Sequence, residues 1–163
     1  MSLNNGFVAM NIRVEDVLIR KGITVDMDTS VKDATKLMDR LSISCLVVMS
    51  KNVIKGILTT RDVISRVIAR GNDPSQMTVG EVMTHPLIAV REETPLEEAV
   101  KIMFQNKIKK LPIVIGEGGD DLVLVGLLSL TDIVENHTEI FADLWEQMLM
   151  TVPADMEKGI LVA

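Results

Sequence analysis

A seven-residue signature occurs twice in this chain, as GILTTRD at 56–62 and GLLSLTD at 126–132. Each copy reads glycine, two hydrophobics, a small hydroxyl residue, two variable positions and aspartate. The flanks repeat as well. At an offset of 65, Val14 meets Val79, Val17 meets Val82, Ile23 meets Ile88 and Val25 meets Val90. At the same offset Thr29 meets Thr94, Ala34 meets Ala99, Met38 meets Met103 and Leu46 meets Leu111. The offset then becomes 70, because the second copy carries five extra residues around 116–120; Val53 meets Val123, Gly56 meets Gly126 and Asp62 meets Asp132. A run of matches in register with one insertion at a turn is the mark of duplication.

Both copies read as the same elements. A short helical turn (VEDVL at 14–18, VGEVM at 79–83) precedes a short extended stretch (ITV at 23–25, LIAV at 87–90). Apolar residues at helical spacing, Val31, Ala34, Leu37, Met38 and Leu41, predict a helix over about 30–41. Leu96, Ala99, Val100 and Met103 predict its twin over about 95–106. Thr94 as N-cap, Pro95 in the first helical position and Glu97 as the capping-box acid mark its start, as Thr29 or Ser30 marks the first. The apolar runs CLVVM and LPIVI predict strands covered on both faces, with VIKGILT and LVLVGLLS as hairpin partners. A last helix follows over about 60–70 and 130–136. One copy is too small to close a core alone, so the two are expected to pack sheet to sheet about a pseudo-two-fold axis.

Composition narrows the function. Net charge is −6 and aromatic residues make up 2%, so the basic footprint and stacking platforms of nucleic-acid binders are missing. No apolar run approaches the ~20 residues of a membrane-spanning helix. The N-terminus lacks a secretory pattern, Met1-Ser2-Leu3 fits a vector remnant, and a cytoplasmic location is expected. The single cysteine, Cys45, reads as a small buried hydrophobe. His85 and His137 are the only histidines, and no Cys/His set has metal-ligand spacing. No nucleophile–base pair or P-loop is present, which argues against an enzyme.

Two β-α-β-β-α repeats, each ending in Gly-h-h-Thr/Ser-x-x-Asp, resemble a tandem pair of CBS (cystathionine-β-synthase) domains, a Bateman module. The resemblance covers residues 12 to about 137 and implies an α/β (α+β) fold of two pseudo-symmetric repeats, 12–71 and 72–137. It also implies sensing of an adenosyl compound such as AMP, ADP, ATP or S-adenosylmethionine, and allosteric control of a separate partner protein. In that family the motif aspartate accepts hydrogen bonds from ribose hydroxyls, which points to Asp62 with Thr59 and Asp132 with Ser129. The base is held at the start of the first strand and by the second strand, here Ile23-Thr24, Ile88-Ala89 and backbone near Leu46 and Leu111. Lys109 and Lys110 stand where basic residues reach phosphates. Arg61, and Thr131 in the same place of the second copy, complete the candidate set. No metal or bound cofactor is implied, and a homodimer formed through the helices is.

The physical chemistry of the motif is consistent with this. A carboxylate can accept two bonds from a vicinal diol, helix N-termini favour phosphate, and a nearby glycine allows close approach to the backbone. Thr59…Asp62 and Ser129…Asp132 also fit capping boxes, which need no ligand, and the two roles can coexist. Arg66 and Arg70 read as a solvated stripe and the Lys109-Lys110 pair as either a solvated loop or a phosphate corner. Beyond the repeats, Ile140, Phe141, Leu144, Trp145, Met148 and Leu149 fit an amphipathic helix within a tail at 138–163, ended by Pro153. The competing reading of the whole chain is a structural dimerisation module whose ligand sites are vestigial.

Overall fold

The computed structural model describes residues 12–17, 19–138 and 142. After a 3-10 turn at Val14–Asp16, the first repeat runs β1 (Thr24–Asp26), α1 (Val31–Leu41), β2 (Cys45–Ser50), β3 (Val53–Thr59) and α2 (Thr60–Arg66). The second runs α3 (Val79–Val82), β4 (Val90–Arg91), α4 (Leu96–Asn106), β5 (Lys110–Ile115), β6 (Val123–Ser129) and α5 (Leu130–Asn136). Each repeat forms a three-stranded sheet, β1-β2-β3 and β4-β5-β6. The first strand of each lies parallel to the second, and the second pairs antiparallel with the third. The fold is α+β, two repeats of one plan.

The helices form where apolar spacing and caps agree. Ser30 caps α1, its Oγ accepting from Asp33 N at 3.1 Å, and Val31, Ala34 and Met38 are buried. The start of α4 differs from the sequence expectation. Pro95, not Thr94, is the N-cap, and it makes no side-chain cap bond. Thr94 Oγ1 instead accepts from Arg91 N at 3.1 Å, closing the turn before the helix. Both helices end on a left-handed residue, Ser42 at φ 53° and Lys107 at φ 54°. The first hairpin turns through Lys51 and Asn52, both at positive φ as a two-residue turn of primed type requires. The helix expected over 60–70 is broken: α2 ends at Arg66, and a 3-10 turn at Ile68–Arg70 leads to Gly71, whose φ of 72° stops it.

β4 is shorter than the LIAV stretch suggests. In the first repeat Val47 N donates to Ile23 O at 2.9 Å, opening the parallel ladder. The residue matching Val47 is Pro112, which has no N–H to give. The ladder therefore begins at Val90↔Ile113, and Leu87–Ala89 stay outside the sheet.

The repeats are interlocked rather than merely packed together. Val14, from the leader of repeat 1, is buried among Leu96, Val100, Leu111 and Leu128 of repeat 2. Val79 and Val82, from the leader of repeat 2, are buried among Val31, Leu46 and Leu58 of repeat 1. Backbone bonds pin both leaders: Val14 N to Thr94 O at 2.9 Å, and Val79 N to Thr29 O at 2.8 Å. A third cluster, Cys45 and Val47 with Leu127, flanked by Ile54, Ile57 and Leu124, joins sheet to sheet. Cys45 is a buried free thiol whose pKa is pushed up by that burial. The amphipathic helix expected in the tail lies outside the described residues, of which only 138 and 142 belong to that segment. Among the described residues no helix is long and apolar enough to cross a membrane.

Candidate functional site

The signature places an aspartate in the first turn of α2 and of α5, and the two are held differently. Thr59 and Asp62 form the full capping box. Asp62 N donates to Thr59 Oγ1 at 3.2 Å, while Asp62 Oδ2 accepts from the Thr59 N–H at 2.9 Å and its hydroxyl at 2.7 Å. Asp62 Oδ1 accepts from the Thr84 hydroxyl at 2.9 Å and lies 3.3 Å from Arg66 Nη1. Both oxygens of this buried carboxylate are thus occupied within the protein. Arg66 also donates to the carbonyls of Val82 and Met83 at 2.6 and 2.8 Å, so it ties α2 to the end of α3 and is not the solvated residue its spacing suggested.

The second copy departs from the capping box. Ser129 makes no cap bond, and its Oγ accepts from Lys110 Nζ at 2.9 Å. Asp132 is gripped by the fork of Arg20, with Nε 2.6 Å from Oδ2 and Nη2 2.5 Å from Oδ1. The Asp132 side chain is 4% exposed and that of Arg20 59%. The guanidinium bond holds the Asp132 carboxyl below the usual carboxylate range, and the charges of Arg20 and Lys110 add to this against the opposing effect of burial.

Arg20 and Thr84 occupy the same seat. Arg20 exchanges two backbone bonds with Leu127, at 2.9 and 2.8 Å, and Thr84 exchanges two with Ile57, at 2.8 and 3.0 Å. Each leader thereby crosses beside the signature glycine of the other repeat. A Cβ on Gly56 would lie 2.5 Å from Thr84 O, and one on Gly126 would lie 2.6 Å from Arg20 O. The glycines make room for this crossing backbone, not for a ligand as the sequence suggested.

Two clefts open beside these crossings. One, of about 510 Å³, is lined by Arg20, Ile23, Lys110, Ser129, Thr131 and Asp132, with Lys21 and Glu135 also on its wall. The other, of about 450 Å³, is lined by Thr59, Arg61, Ile88, Lys107, Lys109 and Lys110. Both volumes suit a small ligand. Ser44, Cys45 and Lys110 border both clefts. In a chain of net charge −6 the second cleft has no acidic residue among its described lining, and the first sets Arg20, Lys21 and Lys110 against Asp132 and Glu135. Such local positive charge favours an anionic ligand. Among the described residues no group of three or more His, Cys, Asp or Glu is placed to hold a metal ion.

Each cleft joins sequence-derived residues of both repeats. Ile23 of repeat 1 joins Ser129, Thr131 and Asp132 of repeat 2; Ile88 of repeat 2 joins Thr59 and Arg61 of repeat 1. Lys109 borders the Thr59–Arg61 cleft, and Lys110 borders both. Leu46 and Leu111 have their side chains in the two cores, and Thr24, Ala89 and Asp62 do not line either cleft. Arg20, Thr84 and Lys107 escaped the sequence reading. Arg20 and Thr84 are 64 apart while the neighbouring strands repeat at 65, so a one-residue slip hides their equivalence. The one available signal was physical: a carboxylate buried among apolar residues needs a donor from somewhere.

Comparison with known proteins agrees with this architecture. The family profile of the CBS domain matches twice, at residues 14–69 and 79–138. The CBS domain-containing protein YhcV of Bacillus subtilis is 34% identical over 124 residues, 76% of this chain and 84% of that protein. Inosine-5'-monophosphate dehydrogenase of Methanocaldococcus jannaschii is 33% identical over 77% of this chain, which spans only 23% of the enzyme. Among solved structures, the hexameric CBS-CP12 protein from bloom-forming cyanobacteria superposes with a TM-score of 0.68 at 28% identity, covering 78% of this chain and 68% of that one. With its repeats, its interlocked leaders and both profile matches in register, the chain belongs to the CBS-domain family as a tandem pair.

Proposed function

We propose that this CBS pair is a regulatory module that binds an adenosyl nucleotide between its repeats and passes the binding on to a separate partner protein. CBS pairs are generally regulatory, ligand-sensing modules, and this chain carries such a pair. The observation that carries the reading is the cleft beside Asp132, where a buried carboxylate faces a cavity of about 510 Å³ with Arg20, Lys21 and Lys110 around it. A carboxylate suits a ribose diol, and the cations suit phosphate. The cleft at Thr59 and Arg61 is the second candidate. Its aspartate is already saturated, so its basic residues would contribute more than its carboxylate. This module would work in the cytoplasm, as an assembly of copies and without catalysis of its own.

Calorimetry with AMP, ADP, ATP, S-adenosylmethionine and NADH tests the reading. Wild type is expected to bind at least one of them. Asp132→Ala should erase a preference of about tenfold, about 1.4 kcal/mol, for AMP over 2'-deoxy-AMP, whereas Asp62→Ala should chiefly lower stability by unmaking the cap of α2. Unchanged binding in both variants would refute the site assignment, and no binding by wild type would refute the nucleotide reading.

A dimerisation role is favoured by a separate observation. Ile64 and Ile68, on and just after α2, are 62% and 57% exposed, and Leu41 at the end of α1 is 43% exposed. We propose this apolar face as the contact between copies of the chain. If nucleotides neither bind nor shift the melting temperature while Ile64→Glu dissociates the assembly, the module is structural and its clefts are vestigial.

A further inference from the structure

The Arg20–Asp132 pair stands where the nucleotide reading needs an accepting carboxylate. Both Asp132 oxygens face one guanidinium, through Nε and Nη2, and the rest of the carboxylate is buried. A diol therefore reaches it by displacing Arg20. The backbone of Arg20 is pinned by its two bonds to Leu127, but more than half of its side chain is exposed, so the guanidinium can swing while the main chain stays. Lys21 and Lys110 line the same cleft, and Glu135 is the other acid on its wall.

We propose that binding in this cleft is an exchange, in which the ribose diol replaces the Arg20 guanidinium on Asp132 and the freed guanidinium takes the ligand's phosphate. The inference rests on the nucleotide reading and deepens it: the cleft selects phosphorylated nucleosides, and Arg20 sets that preference. Parting a forked Arg–carboxylate pair is costly, and a phosphate offers a comparable forked partner in return. A bare nucleoside supplies the diol but leaves Arg20 without its anion. S-adenosylmethionine adds a sulfonium charge beside Arg20, Lys21 and Lys110. AMP is therefore expected to bind more tightly than adenosine. The other cleft has a neutral hydroxyl, Thr84, in the equivalent seat and lacks the device.

The test is titration of the full chain with AMP, adenosine and S-adenosylmethionine, followed by the amide shifts of Leu127 and Ser129, which report on this cleft. Wild type is expected to favour AMP over adenosine by about tenfold or more, one forked ionic contact's worth of discrimination. In Arg20→Ala adenosine should bind tighter and AMP weaker, bringing the ratio near one. Arg20→Lys keeps the charge but loses the fork, so it should tighten adenosine and shrink the AMP preference in part; it carries the comparison if the alanine variant does not fold. Adenosine binding that is unchanged in both variants overturns the exchange and leaves the nucleotide reading standing. Equal strengthening of AMP and adenosine overturns the phosphate half. If wild type binds none of the three at these amides, the exchange falls together with the nucleotide reading of this cleft.

Discussion

Asp62 and Asp132 hold the same place in the two signatures and do different things. Asp62 is held by the helix start and Thr84, while Asp132 is held by a largely exposed arginine. The second arrangement has a pH signature. Arg20 holds the Asp132 carboxyl below its ordinary value of 3.8, so ionised Asp132 adds to stability above that pH. The contribution is lost as pH falls through the lower folded value. Comparing wild type with Asp132→Asn isolates it: the stability difference should be constant above about pH 4 and shrink on acidification. A difference that grows on acidification would contradict the pairing. The capping box at Thr59 was legible in the spacing, and Thr59→Ala should cost about 1 kcal/mol in urea unfolding. The identical spacing in the second copy misled, because spacing specifies which groups can meet and not which competitor arrives first. Lys110 takes the Ser129 hydroxyl and Arg20 takes the carboxylate, both from distant chain positions.

Elements were legible wherever periodicity and caps agreed, as in α1 and in the hairpins β2–β3 and β5–β6. β4 was overestimated because its length depends on a donor in another strand. Pro112 withholds the N–H that Val47 supplies in the first repeat. Pro112→Val should restore that donor, and the new residue-112 amide and the Val47 amide are both expected to exchange slowly with solvent. Fast exchange at residue 112 beside slow exchange at Val47 would refute the explanation. The signature glycines were visible in sequence but their purpose was not, since the crossing segment comes from the other repeat. Gly56→Ala would drive a Cβ against Thr84 O and Met83 Sδ, at 2.5 and 3.0 Å. A loss of about 1–3 kcal/mol is expected, by denaturant unfolding.

For the whole molecule, duplication implied a shared core, and the exchange of leaders makes that sharing specific. Val14 is in the first repeat by sequence and in the second repeat's core by structure. Val14→Ala should cost about 2 kcal/mol and loosen β4–β6, read by amide exchange, before β1–β3. The opposite order would contradict the interlock. The same crossing builds both clefts, since each takes an isoleucine just ahead of the first strand, Ile23 or Ile88, from one repeat and its signature residues from the other. A shift of one repeat against the other would therefore reshape both clefts. The most direct test is an experimental structure of the full chain with AMP. The ribose is expected on Asp132 beside Ile23, with Arg20 turned to the phosphate. AMP bound elsewhere, with the Arg20–Asp132 pair intact, would contradict the account.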